Sequence, residues 1–221
     1  LNVQQTMSAK VPFGIAQHGK AFRNEIVVEH FIFRTGEFEQ MEVEFFCEPG
    51  SQGEWLDYWK EERLKWHQEH SNHPENFRLR QHASDELAHY SDNCFDVEYL
   101  YPWGWDELEG VASRTDYDLK KHAAASGTKL SYFDQNKLDP KTGKKGWRYT
   151  PYVIEPSLGL TRTFLSVLLD AYTEEKSIDS KGAEKTRVFL RLHPKFAPYK
   201  AAIFPLVKKD GLSQIAKDIY N

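Results

Sequence analysis

Hydrophobic and polar positions alternate along "AFRNEIVVEHFIFRTGEFEQMEVEFF", residues 21–46. Side chains two apart on a strand share a face, so the pattern predicts two neighbouring strands. In the second, Arg34, Phe38, Gln40, Glu42 and Glu44 share one face, and Met41, Val43 and Phe45 form an ordinary core face opposite. In the first, Arg23 and Glu25 share a face. The period then lengthens: "EWLDYWKEERLKWHQEH" predicts a helix over 54–70, with Trp55, Trp59 and Trp66 near one core-facing stripe. "SDELAHY" (84–90) predicts a short helix, "FDVEYLY" (95–101) and "DELEGVASRT" (106–115) strands, and "DYDLKKHAAAS" (116–126) a helix. "DPKTGKKG" (139–146) is a hairpin tip, and "WRYTPYVIEPS" (147–157) a single strand. "GLTRTFLSVLLDAYTEE" (159–175) predicts a helix apolar on most sides and hence buried, and "TRVFLRLH" (186–193) a strand.

Past Pro194 and Pro198 the character changes. "KAAIFPLVKK" predicts a buried strand, and "DGLSQIAKDIYN" an amphipathic helix with Leu212, Ile215, Ala216 and Ile219 inward. That is the start of a parallel α/β unit. The expected organisation is an α+β domain over residues 1–196, an antiparallel sheet flanked by helices, followed by the beginning of an α/β domain at 197–221. The opening "LNVQQTMSAK" looks like the end of a polar helix, as though the chain began in mid-domain.

Composition narrows the functional classes. The chain has 221 residues, 40% hydrophobic and 14% aromatic, enough for a sizeable core. A net charge of -4 excludes a protein that coats nucleic acid by charge alone, though not local docking to RNA. The two cysteines, Cys47 and Cys94, have neither metal-like spacing nor a disulfide framework, which fits a reducing compartment. No stretch approaches the roughly 20 apolar residues that cross a bilayer, so a cytoplasmic location is expected and no membrane partner.

Arginines on a sheet face suit phosphate or carboxylate, because guanidinium makes bidentate contacts and stays charged. Phe38 beside them can stack on a base, and nearby carboxylates can hold magnesium or an ammonium group. Arg162 follows Gly159 in the first turn of the buried helix, where anions are favoured. These groups together suit a nucleoside triphosphate; a surface salt-bridge network is the alternative. His18, His82, His89 and His193 lack partner spacing and are read as structural.

"FRNE" followed by Arg34-x-x-x-Phe38-x-x-x-Glu42 resembles the second signature motif of class II aminoacyl-tRNA synthetases, and "EPSLGLTR" with "TFLSVLLDAY" resembles the third. "VPFGIAQHGKAFRNEI", "FEQME", "ELEGVASRTDYDL" and "YVIEPSLGLTR" are similar to the homodimeric glycyl-tRNA synthetases, over nearly the whole chain. The resemblance implies the class II catalytic fold, with an anticodon-binding domain beginning near residue 197. It implies activation of glycine with ATP to glycyl-adenylate and pyrophosphate, then transfer to tRNA(Gly), in a homodimer. Arg23 and Arg162 would be the catalytic pair: Arg23 on the α-phosphate and the glycine carboxylate, Arg162 with Arg34 on the β- and γ-phosphates. Glu25 would read the adenine amino group and Phe38 stack on the ring, with Asn24, Phe33, Thr35, Leu108 and Gly159 bordering ATP. Glu107 would help carry Mg2+, with Glu109, expected on the same strand face, as the other candidate; no zinc is expected. Glu42, Glu155 and Ser157 would surround the glycine ammonium, with Phe38, Glu39, Gln40, Met41, Pro156 and Gly159 completing the pocket. Glu44 is read as a solvated or structural acid outside it.

Two departures stand out. Gly36, after "FRT", occupies a position where the family commonly carries a charged residue, on the expected face of Arg34 and Phe38. The family's first motif and its R-P-E-T-A-Q-G loop are not in this sequence, so this stretch alone is expected to be a poor enzyme. The rival functions are a non-catalytic class II paralogue serving as a binding or accessory subunit, disfavoured by the three retained arginines, and a class II enzyme for another amino acid, disfavoured by the acids and serine crowding the pocket.

Overall fold

In the computed structural model, which describes residues 1–178 and 182–221, a short helix α1 (Asn2–Thr6) precedes a long antiparallel hairpin. Its strands are β1 (Phe13–Phe22) and β2 (Glu37–Cys47), paired from Phe13 opposite Phe46 to Phe22 opposite Glu37. Residues 23–36 are therefore the connection between strands, not the first strand of the pair. The β-branched run Ile26, Val27 and Val28 suggests a strand but lies exposed, because pairing with β2 is already exhausted at Phe22.

After α2 (Gln52–Glu69) and a 3-10 turn come β3 (Phe77–Gln81), β4 (Asn93–Tyr101) and β5 (Gly104–Thr115). Then follow α3 (Tyr117–Ser126), the hairpin β6 (Tyr132–Leu138) and β7 (Lys145–Tyr149), β8 (Tyr152–Gly159) and α4 (Leu160–Ala171). α3 stops where Gly127 turns left-handed, φ 68°, and its N–H caps the Ala123 carbonyl. Six strands form one sheet in the order β1-β2-β8-β5-β4-β3, every pair antiparallel. This is the antiparallel α+β architecture expected.

Three local expectations fail. Residues 84–90 form turns instead of a helix. The single strand expected over 147–157 is two, β7 and β8, broken at Thr150-Pro151, where proline supplies no ladder N–H. The helix expected to reach 175 ends at Ala171, since Tyr172 opens β9 (Tyr172–Ile178), which pairs with β10 (Glu184–Leu190).

The chain divides into two units, Leu1–Asp170 and Ala171–Asn221. The β9–β10 hairpin falls in the second unit. In the second unit, α5 (Leu212–Tyr220) forms as expected. Its inward packing does not: Ile215 and Ile219 are exposed. Nor is 200–209 a buried strand; Phe204 and Leu206 are almost fully exposed.

The core of the first unit lies on one face of the sheet. Cys47, Val111 and Ile154, with Phe45, pack against Leu56, Trp55 and Trp59 of α2, while Phe77, Val97, Tyr99, Tyr101 and Leu108 gather with Phe33. Phe45 thus meets the core expectation, and Trp55 and Trp59 do likewise. Met41, by contrast, is exposed.

A β-bulge separates two acids of β5. The β4–β5 register shifts between Val97, opposite Glu109, and Glu98, opposite Glu107, leaving Leu108 as the extra residue. Glu107 and Glu109 consequently point to opposite faces rather than sharing one. Glu109 goes into the core, 1% exposed, where Arg63 Nε donates to it at 2.6 Å and His67 Nε2 lies 2.8 Å away.

Candidate active site

The sheet face opposite α2 carries the polar chemistry. Cross-strand partners point the same way, so the registers Asp96–Gly110–Ser157–Glu42 form one row across β4, β5, β8 and β2. Glu155 lies opposite Ala112 in the next row. Gly110 and Ala112 keep the middle of this face low, and the larger side chains stand around it.

Against Gly110 and Ser157 of this row opens a cleft. Its walls hold Arg23, Glu25, Phe33, Arg34, Thr35 and Phe38 from the 23–36 loop and the start of β2, Glu107 and Leu108 from the bulge, and Gly159 and Arg162 at the β8–α4 junction. Gln40 and Ser157 form its floor towards Glu42. Twelve of the residues singled out in the sequence thus meet in one place. Ile32, Gly110 and Thr161 line it as well. Only Thr161, between Gly159 and Arg162, carries a sequence signal; its Oγ1 accepts the Glu39 N–H at 3.0 Å, tying β2 to the helix start.

The loop reaches the cleft by backbone pairing, not strand alternation. Arg23 N–H donates to the Gly36 carbonyl at 3.0 Å, and Glu29 and Arg34 exchange both backbone hydrogen bonds at 3.2 Å. Arg34 Nη1 also meets Glu29 Oε1 at 3.2 Å, and the Arg23 guanidinium lies 5.2 Å from the Phe38 ring centroid. Gly36 is therefore a backbone anchor before β2 rather than a face-mate of Arg34 and Phe38. A Cβ there would stand 3.4 Å from the Arg23 carbonyl oxygen, ordinary contact.

Arg162 is the most constrained of the three arginines. Its Nε donates to the Phe33 carbonyl at 3.0 Å, and its Nη1 to the carbonyl and the Oε2 of Glu107, both at 3.1 Å. Its guanidinium also covers the Phe33 ring at 4.3 Å. Glu107 remains exposed beside it. One accessible carboxylate at the cleft wall fits magnesium, which keeps most of its waters and binds through one or two carboxylates plus phosphate oxygens. Of the two acids considered, Glu109 is committed to Arg63 and His67, so Glu107 is the one available.

Towards β2 the floor is a hydrogen-bonded relay. Gln40 Nε2 donates to Ser157 Oγ at 2.9 Å, and Ser157 Oγ donates to Glu42 Oε1 at 3.2 Å. Four expected pocket residues lie apart from it, one of them Glu155, in the next row of the same face. Glu39, Met41 and Pro156 alternate to the opposite face, with Met41 and Pro156 bordering a separate cavity beside Glu109 and Trp59. Asn24, exposed at the loop base, does not line the cleft.

Burial, reinforced by the neighbouring Glu155 charge, pushes the Glu44 carboxyl up to about 7. Below about pH 4.5 it is protonated both folded and unfolded. Between about 4.5 and 7 only the folded protein keeps the proton, so stability falls as pH rises, and above 7 the full penalty is present. Glu44→Gln should therefore stabilise the protein at pH 8 by about 1–2 kcal/mol, the shift being discounted for partial exposure, and hardly at all near pH 4.5. Urea midpoints for both proteins at the two pH values check this; an equal offset at both would contradict it.

Outside the cleft, His82, Cys94 and Asp96 bring metal-ligating atoms within 4.8 Å of one another. His82 and Asp96 already satisfy each other. His82 Nε2 is 2.7 Å from Asp96 Oδ2, Arg80 Nη1 stands 3.6 Å from the same oxygen, and burial pushes the Cys94 thiol up to about 12, leaving no thiolate. Among the described residues, no helix is long and apolar enough to cross a membrane.

No family model matches the chain. Curated proteins do. A glycine–tRNA ligase of Treponema denticola is 48% identical over 220 residues, covering 100% of this chain and 47% of that protein. One of Thermobifida fusca is 50% identical over 221 residues, 99% of this chain and 46% of its own length. One of Macrococcus caseolyticus is 54% identical over 219 residues, 99% of this chain and 44% of its own. The chain thus spans about half the length of the curated relatives it matches. With its signature arginines converging on one cleft, and about half its residues identical to these ligases from end to end, the chain belongs to the glycine–tRNA ligase family.

Proposed function

We propose that this chain carries the activation site of a glycine–tRNA ligase: it binds ATP and glycine, forms glycyl-adenylate with release of pyrophosphate, and passes glycine to tRNA(Gly). The observation that carries the reading is the meeting of Arg23, Arg34 and Arg162 with Phe38 and Glu107 around one cleft whose floor runs to Glu42. Three cations around one cleft suit a folded triphosphate, and the Phe38 ring suits a purine. The Gln40–Ser157–Glu42 relay ends in a carboxylate that suits an ammonium group, and Gly110 opposite Ser157 adds no bulk.

In this arrangement Arg23 orients the glycine carboxylate for in-line attack on the α-phosphorus while neutralising charge on the phosphoryl oxygens. Arg34 and Arg162 draw the pyrophosphate away as it leaves. Magnesium, when bound at Glu107, supplies further charge neutralisation on the phosphates. No side chain need take a proton, because the attacking carboxylate is already ionised. Catalysis is positioning and charge stabilisation. A homodimer, a cytoplasmic location and an anticodon-binding segment from about residue 197 accompany the reading.

The test is glycine-dependent ATP–pyrophosphate exchange by the full-length protein, alongside Phe38→Ala. Loss of the stacking ring should weaken ATP binding by about 1–3 kcal/mol. Calorimetry that finds ATP affinity intact would remove Phe38 from the site. Absence of exchange with glycine, or exchange with another amino acid, would refute the function.

A further inference from the structure

Glu155, which the sequence reading assigns to the glycine pocket, has a carboxylate that is not free to turn. Arg114 Nη1 donates to its Oε2. Arg114 is in turn held from two other sides: its Nε donates to Asp118 Oδ2 at 2.8 Å, and its guanidinium covers the Tyr90 ring at 4.0 Å. The Arg114 and Glu155 side chains are 20% and 13% exposed, so this is not a solvated surface pair.

The backbone is shaped for the contact. β5 pairs Ser113 with Ile154 and then Thr115 with Val153, leaving Arg114 as the extra residue of a bulge. Thr115 takes a φ of 55°, a costly conformation for a β-branched residue. Bulges re-aim side chains, and this one frees Arg114 from a strand partner so that it can span from β8 to the first turn of α3. The segment bearing Tyr90 is tied to the same bulge, since Ser91 Oγ and the Asp92 N–H both donate to the Ser113 carbonyl, at 3.0 and 3.1 Å.

We infer that Arg114 is a positioning residue for amino-acid recognition: anchored by Asp118 and Tyr90, its guanidinium holds the Glu155 carboxylate in the orientation and charge state that receives the ammonium group of glycine. The inference rests on the reading of Glu155 as part of the glycine pocket. Glu155 needs such a partner because of what else faces it: Glu42 and Glu44 from β2, Cys94 from β4 and Asp118 from α3. Burial raises its carboxyl, Glu42 and Asp118 add to that, and Arg114 opposes them. Among the described residues that act on Glu155, Arg114 is the cation.

The experiment measures glycine and ATP KM separately, with the pH profile of kcat/KM for glycine, in full-length Arg114→Gln, Arg114→Lys and Glu155→Gln. Arg114→Gln should raise the glycine KM about ten- to a hundredfold, as expected for losing a charge-assisted contact. ATP KM should stay within about threefold, and the acidic limb for glycine should move to higher pH. Arg114→Lys should restore that limb but only part of the KM, because an ammonium lacks the planar fork. If Glu155→Gln damages glycine use while both Arg114 variants leave KM and pH limb in place, Arg114 is merely structural and the inference fails. It fails equally if Arg114→Lys impairs glycine and ATP use to the same extent. If Glu155→Gln leaves the glycine KM intact, the pocket reading fails and takes this inference with it. Should Arg114→Gln not fold, the lysine variant decides.

Discussion

Replacement of Arg162 by alanine is expected to lower glycine-dependent ATP–pyrophosphate exchange by about a hundred- to a thousandfold, the loss that follows when one preorganised donor to developing charge is removed. The expectation comes from how many contacts fix this side chain. Two cleft carbonyls and the Glu107 carboxylate accept from it, and its guanidinium lies on the Phe33 ring. It is therefore already aimed when substrate arrives, and little ordering is left for the reaction step. Its loss would also leave the exposed Glu107 carboxylate without its cation, repelling a triphosphate and weakening affinity for ATP. Arg162→Lys should recover only part of the activity, since one ammonium cannot serve both carbonyls and a phosphate. Exchange rates in the folded variants, verified by circular dichroism, check this. Near-normal turnover in Arg162→Ala would mean that Arg162 braces the β8–α4 junction and takes no part in the chemistry.

Glu109→Ala should cost about 3–5 kcal/mol of stability, because removing one member of a buried ionic cluster strands its partners. Glu109 is 1% exposed, and Arg63 and His67 both point at it. Burial pushes its carboxyl up, but the hydrogen bonds from His67 and Arg63 and the Arg63 charge hold it below the usual carboxylate range. Burial also lowers His67, which favours the neutral ring. A carboxyl depressed in the folded state contributes stability above its unfolded value near 4.5, and the contribution is lost as pH falls through the folded value. The gap between wild type and Glu109→Ala should accordingly be widest near neutrality and narrow on acidification below about pH 4.5. Glu109→Gln, which keeps the volume and one acceptor, should lose less. Denaturant unfolding at pH 7 and pH 4 measures both; a variant within about 0.5 kcal/mol of wild type at pH 7 would show that Arg63 and His67 find water instead.

Most of the cleft residues are legible in the sequence because they occur as local motifs. "FRNE" with Arg34 and Phe38, and "EPSLGLTR" with Arg162, each hold their spacing within a short stretch, and short stretches are what a linear reading resolves. Strand faces are harder to read. Glu107 and Glu109 are two apart and by alternation alone would point together, but the bulge at Leu108 separates them, and it shows only as a slip between β4 and β5. Adjacency to Glu42 draws Met41 and Glu39 into the expected pocket, although alternation sends them to the other face. Arg114 lies inside "ELEGVASRTDYDL", but that stretch does not show what it holds. Its significance comes from Tyr90, Asp118 and Glu155, which the chain supplies from three separate places.

Period and motif, both properties of neighbouring residues, thus settle the antiparallel α+β class, the helices α2 and α3 and most of the residues that line the cleft. Tertiary structure decides everything that depends on partners distant in sequence: where β1 stops, why 23–36 is a loop despite its β-branched run, and that Tyr172 leaves the helix for a hairpin. Strand pairing outweighs intrinsic preference in each case, because a backbone group gains its hydrogen bond from whichever strand lies opposite, and local sequence does not name that strand. The same reasoning separates Glu109 in the core from Glu107 in the cleft: two identical side chains two residues apart acquire opposite roles from one extra residue in the ladder.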